Sequence, residues 1–216
     1  MVQERQEPAE IDVLKNHFHK YVKKVMMWRR KVFCIAALFL LLIEACLSDD
    51  DEEDLAFIGD SLVARWDLQE YFPSRHTGNY GVSGSGIAHI EDYKGYFVDK
   101  DVVVIIGTND LEHVKSDEAE YAERYVDAVL QLGAEKIYLF SIFPRSFEND
   151  ADSINYKVAR INGLIKERID STSVHYIDVF DDLSKGDSID MQYSYDGLHL
   201  STYGYELISS RLKELL

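Results

Sequence analysis

Asp101-Val102-Val103-Val104-Ile105-Ile106-Gly107-Thr108-Asn109-Asp110 is the stretch that decides the fold. Its apolar run is almost unbroken and rich in β-branched residues, and it ends in a glycine and a polar turn. A strand with one wet face alternates apolar and polar residues. A strand without alternation suits a parallel sheet covered on both faces. Similar runs lie at residues 55–58, 136–142 and 174–179, with a weaker one at 78–82. Helical periods fill the gaps, at residues 62–71, 87–97, 117–132, 153–169 and 202–215. Five strand-helix alternations predict a three-layer α/β/α sandwich around a five-stranded parallel sheet. Right-handed crossovers with one reversal of winding give the flavodoxin-like order 2-1-3-4-5. Ligands of such sheets bind outside the carboxyl ends of the strands.

The chain has 216 residues, 46% of them apolar and only three of them proline, which suits a packed globule. Its charge is uneven. Residues 1–45 carry a net +3 and the remainder a net −19. So acidic a body repels nucleic acid and keeps itself soluble. The two cysteines, Cys34 and Cys46, both precede the body, so the body can form neither a disulfide framework nor a cysteine-based zinc site.

Arg29-Arg30-Lys31 precede a 12-residue apolar run, residues 32–43, which reads as the basic and apolar regions of an export signal. The run is short for a membrane span, which needs roughly 20 apolar residues. Ile43-Glu44-Ala45-Cys46 resembles a bacterial lipobox, with Glu44 the departure from its pattern, and the resemblance makes Cys46 the lipid attachment site. The alternative is an uncleaved signal anchor. In both cases the body is exported. A signal starting at Met26 or Met27 would have ordinary length, so residues 1–25 read as a mis-called extension and 26–46 as the signal peptide. Residues 47–54, mostly acidic, read as a solvated tether. Residues 55–216 are the folded domain.

Three motifs fall at predicted turns of that domain: Gly59-Asp60-Ser61-Leu62, Gly107-Thr108-Asn109-Asp110 and Asp196-Gly197-Leu198-His199. Together they supply a hydroxyl, a base to take its proton, a carboxylate to orient that base, and an amide to meet an oxyanion. Taken singly, each has an ordinary explanation: Ser61 as a helix cap, Asn109 as a turn residue, His199 as a surface histidine. Their joint occurrence, in order and at one sheet edge, does not.

On these motifs, with Asn79-Tyr80-Gly81-Val82-Ser83-Gly84, the body resembles the SGNH or GDSL-type serine hydrolase superfamily over residues 55–216. The resemblance implies a Ser61–His199–Asp196 triad. It implies an oxyanion hole of Ser61, Asn109 and a glycine, Gly84 by its spacing from Asn79, with Gly81 the alternative. It implies no metal and no other cofactor. The expected activity is hydrolysis of carboxylic esters, short O-acyl groups on carbohydrates foremost. A lysophospholipase or thioesterase on the same triad, and a non-catalytic surface-anchored binding protein, are the other readings. The expected partners are a small-molecule or carbohydrate ester and, through Cys46, a membrane. Asp60 is expected to bond loop backbone, and His76, His89, His113 and His175 show no metal-ligand spacing.

Overall fold

The computed structural model describes residues 20, 21, 23, 24, 26–28, 53–114, 117–148, 150–169 and 172–216. The chain divides into two units, residues 1–51 and 52–216. In the first unit the described residues are helical and exposed. The apolar run at 32–43, the lipobox and Cys46 lie outside the described residues. Among those described, no helix is long and apolar enough to cross a membrane.

The second unit is built on five strands: β1 (Leu55–Gly59), β2 (Thr77–Gly81), β3 (Asp101–Ile105), β4 (Lys136–Phe140) and β5 (Val174–Ile177). They pair in parallel in the order β2-β1-β3-β4-β5, the order expected from the sequence. Every residue of β1 and four of the five in β3 are buried, as strands covered on both faces must be. Among the described residues seven α-helices accompany the sheet: α1 (Ser61–Ala64), α2 (Leu68–Tyr71), α3 (Ile87–Glu91), α4 (Glu118–Leu130), α5 (Ile154–Arg168), α6 (Phe180–Leu183) and α7 (Thr202–Lys213).

Side-chain alternation along the strands sorts the core into two layers. Ala56, Ile58, Val102, Val104, Ile137 and Leu139 face α3, α4 and α5. Leu55, Phe57, Val103, Ile105, Tyr138 and Phe140 face α1, α2 and α7. The winding therefore reverses at β1, between its neighbours β2 and β3. The segments following β1, β2 and β3 all emerge at the carboxyl edge there, the place where ligands of such sheets bind.

Three local expectations needed correction. The helix expected over 62–71 is broken into α1 and α2. Trp66 turns inward, 2% exposed, against Phe57 and Phe72, and Asp67 starts a new helix by accepting the Glu70 N–H at 3.1 Å. The helix expected over 87–97 stops at Glu91, and the chain turns through Gly95 at φ +68° so that Phe97 enters the core. Glu53 and Asp54, expected in the solvated tether, are tied to the body. Glu53 accepts hydrogen bonds from the Tyr80 hydroxyl at 2.5 Å and Lys100 Nζ at 3.1 Å, and Asp54 pairs with Arg75 at 3.3 Å. A small hairpin of β6 (Ser184–Lys185) and β7 (Ser188–Ile189) also escaped the sequence reading, because two-residue strands carry no periodicity.

Candidate active site

The end of β1 presses against β3. A Cβ on Gly59 would lie 1.9 Å from the Ile105 carbonyl oxygen, so this position admits only glycine. The chain then enters α1 directly. Asp60, not Ser61, is the cap: its Oδ1 accepts the Leu62 N–H at 2.9 Å, and Ser61 is the first helical residue. Ser61 is thereby freed from capping, 4% exposed, with its hydroxyl turned toward His199.

The imidazole comes from the far end of the chain. Asp196 Oδ1 accepts the backbone N–H groups of Leu198 (3.0 Å) and His199 (2.7 Å), folding the four residues into a tight turn. Gly197 sits at φ +85°, and a Cβ there would meet the Ser146 carbonyl oxygen at 2.3 Å. Ser194 locks the turn from below, accepting the Gly197 N–H at 2.9 Å and donating to the His199 carbonyl at 2.8 Å. In this turn Asp196 Oδ2 lies 2.7 Å from His199 Nδ1, and His199 Nε2 lies 3.1 Å from Ser61 Oγ. These contacts call for the tautomer with hydrogen on Nδ1, which leaves Nε2 free to accept the Ser61 proton. Burial pushes the Asp196 carboxyl up, but the bonds from the His199 ring and from the His199 and Leu198 N–H groups outweigh it. The carboxyl is held below its ordinary value and stays ionised to orient the ring.

Of the donors expected for an oxyanion, Asn109 lies in a single 3-10 turn, Thr108–Asp110, after β3. Its Nδ2 gives one hydrogen to the Ser85 carbonyl at 2.8 Å, which ties the glycine loop to the β3 turn and leaves the second hydrogen available. The Gly81 N–H donates to Asn79 Oδ1 at 3.0 Å. Among the described residues the Ser61 and Gly84 N–H groups have no acceptor, and Gly84 occupies φ +81° in the open loop after β2. Asp110 anchors the start of α3, accepting the Ile87 N–H at 2.9 Å and the Tyr121 hydroxyl at 2.8 Å.

Three features of the site were not visible in the sequence. Arg145, 6% exposed, forms a two-pronged bond to Asp150 (2.6 and 2.8 Å) and donates to the Thr108 carbonyl at 2.9 Å, bracing the turn that carries Asn109. Tyr195 stacks on His199 with ring centres 5.8 Å apart and planes 15° off parallel, and Phe147 meets the same imidazole edge-on. Asp60 is fully buried with no partner for Oδ2 among the described residues, and its carboxyl is pushed up to about 7. Burial is the main cause, the Leu62 N–H opposes it, and the charge of Asp110 adds to it.

Two other described histidines have partners outside this cluster. His89 Nε2 is 2.9 Å from the Tyr80 carbonyl, and His175 stacks on Tyr138. Among the described residues no group of three or more His, Cys, Asp or Glu is arranged to hold a metal ion.

A serine hydroxyl, a poised imidazole and an ionised carboxylate thus meet at the reversal point of a parallel sheet, where the sequence profile of the GDSL-like lipase/acylhydrolase family matches residues 57–207. The chain belongs to this family. Members are esterase/lipase-type hydrolases. A platelet-activating factor acetylhydrolase IB alpha1 subunit from Pongo abelii is 29% identical over 187 residues, covering 78% of each chain. An N-acylneuraminate cytidylyltransferase from Escherichia coli is 26% identical over 179 residues. That match covers 77% of this chain but only 41% of the cytidylyltransferase, so the chain spans less than half of that relative's length. A Streptococcus pneumoniae structure described as a platelet activating factor shares 26% identity and superposes with a TM-score of 0.64, covering 82% of this chain and 98% of its own.

Proposed function

We propose that this chain is an exported serine esterase that removes short O-acyl groups from carbohydrates. The observation that carries the reading is the unbroken line from Asp196 through His199 to Ser61, with contacts of 2.7 and 3.1 Å. Ser61 Oγ attacks the ester carbonyl as His199 Nε2 takes its proton. The Ser61 and Gly84 N–H groups and the Asn109 amide receive the oxyanion. The bond to the alcohol then breaks, and His199 returns the proton to the leaving oxygen. Water, deprotonated by the same imidazole, cleaves the acyl-enzyme, releasing the acid and restoring Ser61. Asp196 steadies the imidazolium in both halves.

Two observations support a short acyl group. The longest segment without clear periodicity in the sequence, residues 181–195, contains the aliphatic residues Leu183, Ile189 and Met191, and the first two are spent in the core at 0% and 2% exposure. A long chain needs apolar wall near Ser61, since each buried CH₂ is worth about 0.8 kcal/mol. The relatives named acetylhydrolases point the same way. The carbohydrate half of the reading rests on the relative whose name carries an N-acylated sugar acid. Across p-nitrophenyl esters, kcat/KM for acetate to butyrate is expected to exceed that for decanoate by about tenfold or more, the equivalent of two lost CH₂ contacts. Efficiency that climbs steadily with chain length would instead favour the lysophospholipase or thioesterase reading.

The export half rests on the basic and apolar pattern before Cys46. Lipid on Cys46, with cleavage before it, is expected in membrane-purified protein by mass spectrometry, and Cys46→Ser is expected to abolish both. An unmodified Cys46 within an intact leader would leave a signal anchor as the attachment.

A further inference from the structure

The folded body, residues 55–216, holds seven arginines among 28 carboxylates, and six of the seven are satisfied in ways a protein so acidic makes easy. Arg75, Arg124, Arg145, Arg160 and Arg211 pair with Asp54, Glu91, Asp150, Glu118 and Asp182, and Arg168 donates to the Leu164 carbonyl. Arg65 alone among the described residues has neither a carboxylate nor a carbonyl at its guanidinium. Its one partner is the neutral hydroxyl of Tyr195.

The position of this unneutralised cation is informative. Arg65 lies one helical turn beyond Ser61 and donates its backbone N–H to the Ser61 carbonyl at 3.2 Å. Its side chain is exposed and reaches Tyr195, whose ring lies flat beside the His199 imidazole and is itself 58% exposed. The guanidinium is therefore linked to the reacting pair from two directions, by the α1 backbone and by the Tyr195 ring. Holding one edge of the fork on a phenol leaves the other N–H donors facing solvent. A planar fork of this kind binds a carboxylate or phosphate with two parallel hydrogen bonds. The body as a whole is strongly acidic, so a cation with no carboxylate at ion-pair distance among the described residues marks a place where an anion can be received.

We infer that Arg65 and Tyr195 form a specificity subsite for an anionic group, a carboxylate or a phosphate, carried on the alcohol portion of the ester. The inference rests on the esterase reading above. The anion belongs to the alcohol portion because the acyl group is short and uncharged. The exposed Tyr195 face supplies a surface against which a sugar ring packs while its acid meets Arg65.

The test uses three matched methyl glycosides: O-acetylated glucuronic acid, O-acetylated glucose 6-phosphate and O-acetylated glucose. Acetate release is measured with the full chain, with Arg65→Gln, which keeps a donor for the Tyr195 hydroxyl but no charge, and with Arg65→Lys. The unaltered chain is expected to favour at least one of the two acids over the neutral sugar by about tenfold in kcat/KM, the strength of a charge-assisted pair. Which acid is favoured tells carboxylate from phosphate. In Arg65→Gln the loss on that acid is expected to exceed the loss on the neutral sugar by about tenfold, through KM rather than kcat, with partial recovery in Arg65→Lys. Equal efficiency on all three by the unaltered chain overturns the inference. So does an equal loss on all three in Arg65→Gln, which would make Arg65 a support for Tyr195. Calorimetric titration of the same glycosides into Ser61→Ala, with and without Arg65→Gln, decides the matter without turnover. Acid-selective binding that Arg65→Gln removes supports the subsite even if none of the esters is cleaved, whereas identical binding of acid and neutral sugar refutes it.

Discussion

Ser61→Ala is expected to lower ester hydrolysis by at least about 1000-fold, and His199→Ala by a similar factor, because nucleophile and base act as one unit. The serine variant is the cleaner experiment. Ser61 Oγ bonds only to His199, and the Ser61 N–H has no acceptor among the described residues, so the change removes one oxygen without orphaning a core group. The Asp60 cap and the β1 packing stay as they are, and the circular dichroism spectrum and melting temperature should be preserved. Hydrolysis that persists near its original rate in a folded Ser61→Ala protein would remove the mechanism proposed here, whatever the family. A His199→Ala protein as active as the original would do the same, since no second imidazole stands within reach of Ser61 among the described residues.

The second large effect concerns stability and pH. Asp60 is raised from an ordinary 3.8 to about 7 in the folded protein. An unfolded chain gives up this proton near pH 4 and the folded one near pH 7. Between those values the native state holds one proton more than the unfolded state. Stability therefore falls as pH rises through that window and levels off above it. Each pH unit of the window is worth about 1.4 kcal/mol, so the full span is on the order of 4 kcal/mol. Asp196 does not blur this. Its carboxyl is held below the ordinary value, so its stabilisation is present above about pH 4 and is lost only as pH falls further. Asp60→Asn keeps an oxygen for the Leu62 N–H and carries no charge to bury. Urea unfolding at a series of pH values is expected to show the variant gaining on the original protein by about 4 kcal/mol between pH 4 and pH 8. Parallel stability curves for the two proteins would show that Asp60 ionises no differently when folded.

The same residue shows how far the sequence could be read. That Asp60 bonds loop backbone was expected from its place in the Gly59-Asp60-Ser61 motif, and it does cap α1. That its second oxygen is buried without a partner among the described residues, and feels the charge of Asp110 some 50 residues away in the chain, is a matter of packing. Spacing from Asn79 points to Gly84 with Gly81 the alternative. The fold adds that the Gly81 N–H donates to Asn79 Oδ1 whereas the Gly84 N–H has no acceptor among the described residues. The break between α1 and α2 was missed because Trp66 fits a helical apolar stripe as well as it fits the pocket made by Phe57, Phe72 and Tyr205.

By itself the sequence determined the parallel sheet, its strand order and the identity of the groups at its carboxyl edge. Those follow from local properties: unbroken apolar runs that must be covered on both faces, crossovers of one hand, and turn motifs whose residues lie side by side in the chain. Tertiary structure alone decided what these groups meet. The contact of His199 with Ser61 spans 138 residues and that of Arg65 with Tyr195 spans 130. No periodicity or propensity encodes such distances, because they arise only when both faces of the sheet are packed and the last turn settles against Ser146. The exposed cation beside the nucleophile is a product of that packing, and so is the buried carboxyl beneath it.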